Sequence, residues 1–216
     1  MGKPCMTVSG LMLDRNGSTF AAVPDFTVKA GEVLGLIGAS GSGKTTALMA
    51  MAGIRPPSAG NVVIEDTDLW ALSTSKRDRF RGQKIGLVFQ TFHLVDAVSV
   101  EANLVLAATC AGLKPDHARI QALMERLQIT DLRHRLPGRL SQGQAQRVAV
   151  ARALVNGPVM VIADEPTSSL DDGNTKALLD LLVEVARDYH AGLVIATHDR
   201  RVIESVDVTL AMETVQ

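Results

Sequence analysis

A run of apolar residues, Val33-Leu34-Gly35-Leu36-Ile37, leads without interruption into Gly38-Ala39-Ser40-Gly41-Ser42-Gly43-Lys44-Thr45. The octet has the form G-x-x-x-x-G-K-[S/T], and it constrains the fold more than any other feature, because it makes a phosphate cradle when it joins a strand to a helix. Its glycines let the backbone turn tightly so that N–H groups converge, and a helix beginning near Lys44 aims its positive end at the same point. The result is an anion site. A helix end contributes roughly 0.3–1 kcal/mol, whereas a Lys charge about 4 Å from a phosphate oxygen is worth on the order of 4 kcal/mol at intermediate dielectric. Lys44 is therefore expected to dominate the charge interaction while the loop supplies geometry. Thr45 is placed to set its hydroxyl on Mg2+, and Thr46 to reach another phosphate.

Around this loop, short runs rich in Val and Ile alternate with longer helical patterns, which predicts an α/β protein with a largely parallel, buried sheet. Strands are expected near Val33–Ile37, Ile85–Phe89, Val159–Ala163, Leu193–Ala196 and Val208–Met212. A helix from Lys44 to Met51 is expected to run until Gly53, with Arg55-Pro56-Pro57 preventing its continuation. Between Ser99 and Val155 helix follows helix with no convincing strand, the pattern of a helical insertion in an α/β core. From Lys176 to Tyr189, Leu178, Leu181, Leu182 and Val185 share one face and predict an amphipathic helix packed on the sheet.

Composition narrows the partners. A net charge of -1 gives no chain-wide attraction to nucleic acid or anionic lipid. Cys5 and Cys110 match no metal-ligand spacing and form no disulfide framework, so a reducing cytoplasm is expected. No signal core follows the N-terminus, and no apolar stretch reaches the roughly 18 residues needed to cross a bilayer. Any membrane connection is expected to come through a partner rather than by direct insertion.

Asp164-Glu165 ends the apolar run Val159–Ala163, and adjacent carboxylates at a strand end face different ways. Asp164 is suited to hold Mg2+ through water. Glu165 is suited to accept a proton from an attacking water, help that is typically worth about 10²–10⁴-fold in rate.

Further segments fall in a set order along the chain: Gln90 after Gly86-Leu87-Val88-Phe89; Leu140-Ser141-Gln142-Gly143-Gln144 running into Ala145–Leu154; Pro166-Thr167-Ser168-Ser169-Leu170-Asp171; and Thr197-His198-Asp199. With the phosphate loop they resemble the ATP-binding cassette family across nearly the whole chain, as Q-loop, signature, D-loop and H-loop. The resemblance implies a P-loop NTPase core with an N-terminal antiparallel β region and an inserted α-helical subdomain. It divides a single nucleotide-binding domain, residues 1–216, into a core of 1–90 and 156–216 and a helical part of about 91–155.

It also implies ATP hydrolysis to ADP and phosphate in a dimer of two copies arranged head to tail. The phosphate loop, Gly38 to Thr46, and Asp164 bind MgATP, and Ser141, Gly143 and Gln144 contact the nucleotide held by the other copy. Ser141 is at the same time a good helix N-cap. His198 bridges phosphate, water and Glu165. Gln90 joins Mg2+ to the helical part. Gln142 stands where the family has its first signature glycine: strained if its φ is positive, harmless otherwise. Arg139 stands where many relatives have Glu or Gln. No Tyr or Trp precedes Gly31-Glu32 as an adenine-stacking aromatic, leaving Arg15 and Phe20 as candidates.

Phe89-Gln90-Thr91-Phe92-His93-Leu94-Val95 with Val100-Glu101-Ala102-Asn103-Leu104 is similar to the lipoprotein-releasing, macrolide-efflux and cell-division cassettes of bacteria. That branch implies a separate transmembrane permease subunit and a cytoplasmic position on the inner face of the inner membrane. The apolar stretch Phe92–Val105 is either a groove for that subunit or core of the helical part. Two other readings are a soluble cassette ATPase of DNA repair or translation, and a small-molecule P-loop kinase.

Overall fold

The computed structural model describes residues 3–15, 18–167, 172–198 and 203–214. Along the chain come β1 (Pro4–Arg15), β2 (Ser18–Ala22), β3 (Phe26–Lys29), β4 (Val33–Ile37), α1 (Lys44–Met51), β5 (Ala59–Ile64), β6 (Thr67–Asp68), α2 (Thr74–Lys84) and β7 (Ile85–Val88). Then follow α3 (Val100–Cys110), α4 (His117–Arg126), α5 (Gln142–Leu154), β8 (Met160–Asp164), α6 (Asp172–Asp188), β9 (Gly192–Thr197), β10 (Val208–Ala211) and β11 (Glu213–Thr214).

Strands β10-β4-β9-β8-β7 form one sheet, with every neighbouring pair parallel. Its central strands are apolar up to their carboxyl ends because both faces are covered. Val161 and Ala163 of β8 and Leu193 and Ile195 of β9 point into a core shared with α3, α4, α5 and α6. Their alternates, Met160, Ile162, Val194 and Ala196, point into a second core that includes α1. That second core is closed by an antiparallel sheet, β11-β2-β1-β5-β6 with β3 also on β1.

The anticipated strands all occur, displaced by no more than one residue at an end. The helix Lys44–Met51 is as expected, and α6 begins earlier than its apolar face suggested, at Asp172. Between Ser99 and Val155 the described chain holds α3, α4, α5 and two 3-10 turns, without a strand. The stretch Phe92–Val105 divides: Val100 and Leu104 are fully buried, while Val95 remains 41% exposed. Helix α2 was not anticipated. None of its residues is buried, so no apolar stripe marks it; it is held instead by Arg77 stacked 4.5 Å above Trp70, Arg81 donating to Gly53 O, and a Lys84–Glu65 ion pair. Among the described residues no helix is long and apolar enough to cross a membrane.

Helix α5 presses directly on β7 at Gly86, where a Cβ would lie 2.4 Å from the Ala153 carbonyl oxygen. Gly86→Ala is therefore expected to cost about 1–3 kcal/mol through overpacking. For a domain of this size each kcal/mol lowers Tm by roughly 2–4 °C, which calorimetry will read. An unchanged Tm would show that α5 can lift off the strand without loss.

Candidate nucleotide site

Parallel pairing brings the critical strand ends to one edge. Ile37 pairs with Thr197 and Asp164 with Ala196, so Gly38, His198 and Glu165 each leave the sheet at the same level. This is the carboxyl edge, where open α/β sheets bind ligands.

The loop from Gly38 to Gly43 turns on particular glycines. Gly41 and Gly43 have φ of 81° and 97°, in the region that disfavours side chains. Gly38 is required for space: a Cβ there would stand 2.7 Å from Ser42 Oγ and 3.0 Å from the Met212 carbonyl oxygen. The residue at the N-cap of α1, Gly43, has no side chain to cap the helix's first N–H groups. Beside them Ser42 Oγ is buried with no hydrogen-bond partner among the described residues. Uncapped N–H groups and an orphaned hydroxyl fit an anion such as a phosphate.

Lys44 is only 6% exposed, and its Nζ donates to Gly38 O at 2.8 Å and Ala39 O at 3.1 Å. It also lies 3.6 Å from Glu165 Oε1. Glu165 adopts φ 45°, an unusual backbone region for a non-glycine residue, while its N–H donates to Ala196 O at 2.9 Å. Its carboxylate meets His198, whose Nδ1 is 2.9 Å away. Thr45 Oγ1 donates to Asp164 Oδ1 at 3.2 Å. Burial pushes the Asp164 carboxyl above the usual range, and the neighbouring Glu165 charge adds to this; the Thr45 hydrogen bond and Lys44 act the other way.

A cleft of about 350 Å³ gathers Ser40, Gly41, Gly43 to Thr46, Gln90, Glu165 and His198. Among the described residues there is no cluster of three metal-ligating side chains. Asp164 does not line this cleft and is tied to it through Thr45, whose hydroxyl it accepts from; with the Gln90 amide these are oxygen donors of the kind Mg2+ takes when it shares substrate phosphates.

The signature lies elsewhere on the chain. Ser141 caps α5: its Oγ accepts from Gln144 N, and Gln144 Oε1 accepts from Ser141 N at 2.9 Å, a reciprocal capping box. Gln142 is the first residue of an α-helix and has no positive φ, so the side chain in place of glycine brings no backbone strain. A Cβ on Gly143 would meet nothing within 4 Å. The signature residues do not line the cleft of their own chain. Ser168 to Asp171 and Asp199 lie outside the described residues, as does the side chain of Arg15. Phe20 of β2 packs beside the loop, where a Cβ on Gly43 would come within 2.9 Å of its ring.

Gln146 was not anticipated. It is 4% exposed and donates from Nε2 to Pro166 O at 3.0 Å, joining α5 to the segment just after Glu165. A polar residue at a core-facing helical position was the only mark it left in the sequence.

The family model described as ABC transporter matches residues 23–168. The chain belongs to that family. It is similar to the lipoprotein-releasing system ATP-binding protein LolD of Buchnera aphidicola, at 35% identity over 88% of this chain and 85% of that protein. Its fold matches cbiO1 of Clostridium perfringens, part of the ABC transporter complex cbiONQ, with TM-score 0.87, 28% identity, and coverage of 99% of this chain and 88% of that one. It also matches the dimeric cassette MJ0796 in a post-hydrolysis state with ADP and Pi, with TM-score 0.82, 26% identity, and coverage of 98% and 99%. In this ABC transporter family member the family match spans the phosphate loop, Gln90, the signature and both carboxylates, whereas His198 lies beyond it.

Proposed function

We propose that this chain binds and hydrolyses MgATP as the cytoplasmic motor of a membrane complex related to the lipoprotein-releasing systems. One observation carries the reading: Lys44, Glu165 and His198 converge on a single cleft, with the Glu165–His198 contact at 2.9 Å. In this scheme the loop from Gly38 to Gly43 with Lys44 and Thr46 binds the phosphates. Thr45 and Asp164 hold Mg2+ together with Gln90. The metal supplies charge neutralisation to the phosphate oxygens. Glu165 takes a proton from the water whose oxygen bonds to the γ-phosphorus as the bond to the bridging oxygen breaks, giving ADP and phosphate. His198 keeps the Glu165 carboxylate aimed at that water.

Ser141, Gly143 and Gln144 act on the nucleotide of a second copy. The open space at Gly143 supports this, since a backbone that no described residue of its own chain crowds is free to meet a ligand held by the partner. The dimeric structure of the related cassette MJ0796 bound to ADP and Pi also supports it. Residues 1–90 and 156–216 form the nucleotide-binding core, and about 91–155 the helical part that meets a separate transmembrane permease. In this scheme the complex works at the inner face of the bacterial inner membrane, a reading supported by the likeness to a lipoprotein-releasing system protein. Nucleic acid has no part in this scheme.

Mixing two inactive variants tests the shared site. Glu165→Gln removes the base. Ser141→Asp keeps a good N-cap but sets a negative charge against phosphate. Each variant alone is expected to show background ATPase activity. An equal mixture forms heterodimers with one intact site, and about a quarter of wild-type activity should return if copies pair at random. No recovery on mixing overturns the head-to-tail arrangement.

A further inference from the structure

After β7 the chain bends sharply past Gln90. The Phe89 and His93 rings meet edge to face with centroids 5.3 Å apart, and Thr91 Oγ1 lies 2.9 Å from His93 Nε2. His93 has φ 48°, a conformation unfavourable for a non-glycine residue that persists only when its surroundings enforce it. The enforcing group comes from the last turn of α5. Arg152 Nη2 donates to Phe92 O at 2.7 Å, and Nη1 donates to His93 O.

For stability alone this is a costly choice. Burial pushes the Arg152 guanidinium below its ordinary pKa, and among the described residues no carboxylate pairs with it. A charge is spent on two neutral carbonyls of one bend, and that bend carries Gln90 into the nucleotide cleft. The helix supplying the charge has further anchors. Ser141 begins it, Gln146 reaches Pro166 beside Glu165, and Ala153 abuts Gly86 on β7. Its thirteen residues span about 20 Å at the usual helical rise.

We propose that Arg152 is a positioning residue for ATP hydrolysis: it fixes Gln90 in the cleft and ties that glutamine to the chain's own signature helix. This rests on the reading of the cleft given above. Displacement of Ser141 by the partner's nucleotide is then transmitted along α5 to the bend at Phe92 and His93, and so to Gln90. One site's occupancy adjusts the other site's metal environment through a physical connection inside each copy.

The test compares Arg152→Gln, Arg152→Lys, Gln90→Ala, the double variant Gln90→Ala/Arg152→Gln, and Asn156→Ala as a control. Asn156 ties the same region together by donating to Gly82 O and Ala107 O, neither of which belongs to the Gln90 bend. Arg152→Gln is expected to lower kcat about tenfold, with the ATP Kd of the cassette nearly unchanged. Arg152→Lys should restore part of the loss, since an ammonium still reaches one carbonyl. Asn156→Ala should lower Tm while leaving kcat within about twofold. The double variant should be no slower than Gln90→Ala, because both changes act through one side chain.

Multiplicative losses in the double variant, or a kcat for Arg152→Gln that falls only with the folded fraction, overturn the inference. If Arg152→Gln does not fold, the Lys variant carries the same comparison. A normal kcat for Gln90→Ala overturns the role given to Gln90 and this inference with it. A defective Gln90→Ala beside a normal Arg152→Gln overturns this inference alone.

Discussion

Glu165→Gln is expected to lower kcat by about 10²–10⁴-fold, the usual contribution of a positioned general base, while ATP binding persists. The amide matches the carboxylate in shape, and its oxygen can still meet His198 Nδ1, which stands 2.9 Å away. What it cannot do is take a proton. It also removes one negative charge from a cleft that must receive a polyanion, 3.6 Å from Lys44. The variant is therefore expected to bind ATP at least as well as the wild type and to accumulate as an ATP-bound dimer. Light scattering after size exclusion in saturating MgATP reads the dimer, and phosphate release reads the turnover. Turnover within about twofold of wild type would remove Glu165 from the chemistry and leave the 2.9 Å contact as a structural one.

Lys44→Ala is expected to weaken ATP binding about a thousandfold, the equivalent of the roughly 4 kcal/mol that a Lys charge contributes near a phosphate at intermediate dielectric. The site intensifies this dependence, because the ammonium is 6% exposed and little screened by salt. Calorimetric titration with MgATP gives the Kd directly. The fold should survive: the carbonyls of Gly38 and Ala39 lose a donor, but water can follow into a cleft of about 350 Å³. An unchanged thermal transition with a lost titration signal is the expected pair of results. Retained micromolar binding would transfer the dominant role from the charge to the loop backbone and α1.

The groups behind these two predictions are legible in the sequence because they are contiguous. Gly38 to Thr45 lie in one octet, and Asp164 and Glu165 are neighbours on an apolar run. The N-terminal sheet was less legible from pattern. In β1 the residues buried to 1% exposure or less fall at Met6 and Val8 and then at Leu11 and Leu13, so the period-two alternation breaks. The break coincides with a register shift between Ser9 and Met12 and with Gly10 at φ 58°, where the strand bulges. Helix α2 left no trace because none of its residues is buried.

Local chemistry thus determined which groups are present: the phosphate loop, the carboxylate pair, the histidine, and a serine able to cap a helix. Tertiary structure decided which of them meet. Glu165 and His198 are 33 positions apart, and only the parallel pairing of β8 with β9 sets them side by side. Gln142 was ambiguous until α5 gave it helical backbone, since strain depends on φ and not on residue type alone. The ties of Gln146 to Pro166 and of Arg152 to the bend after Gln90 belong wholly to the fold. A hydrogen bond to a backbone carbonyl can be made to any residue type, so the partner's identity leaves no mark in the sequence.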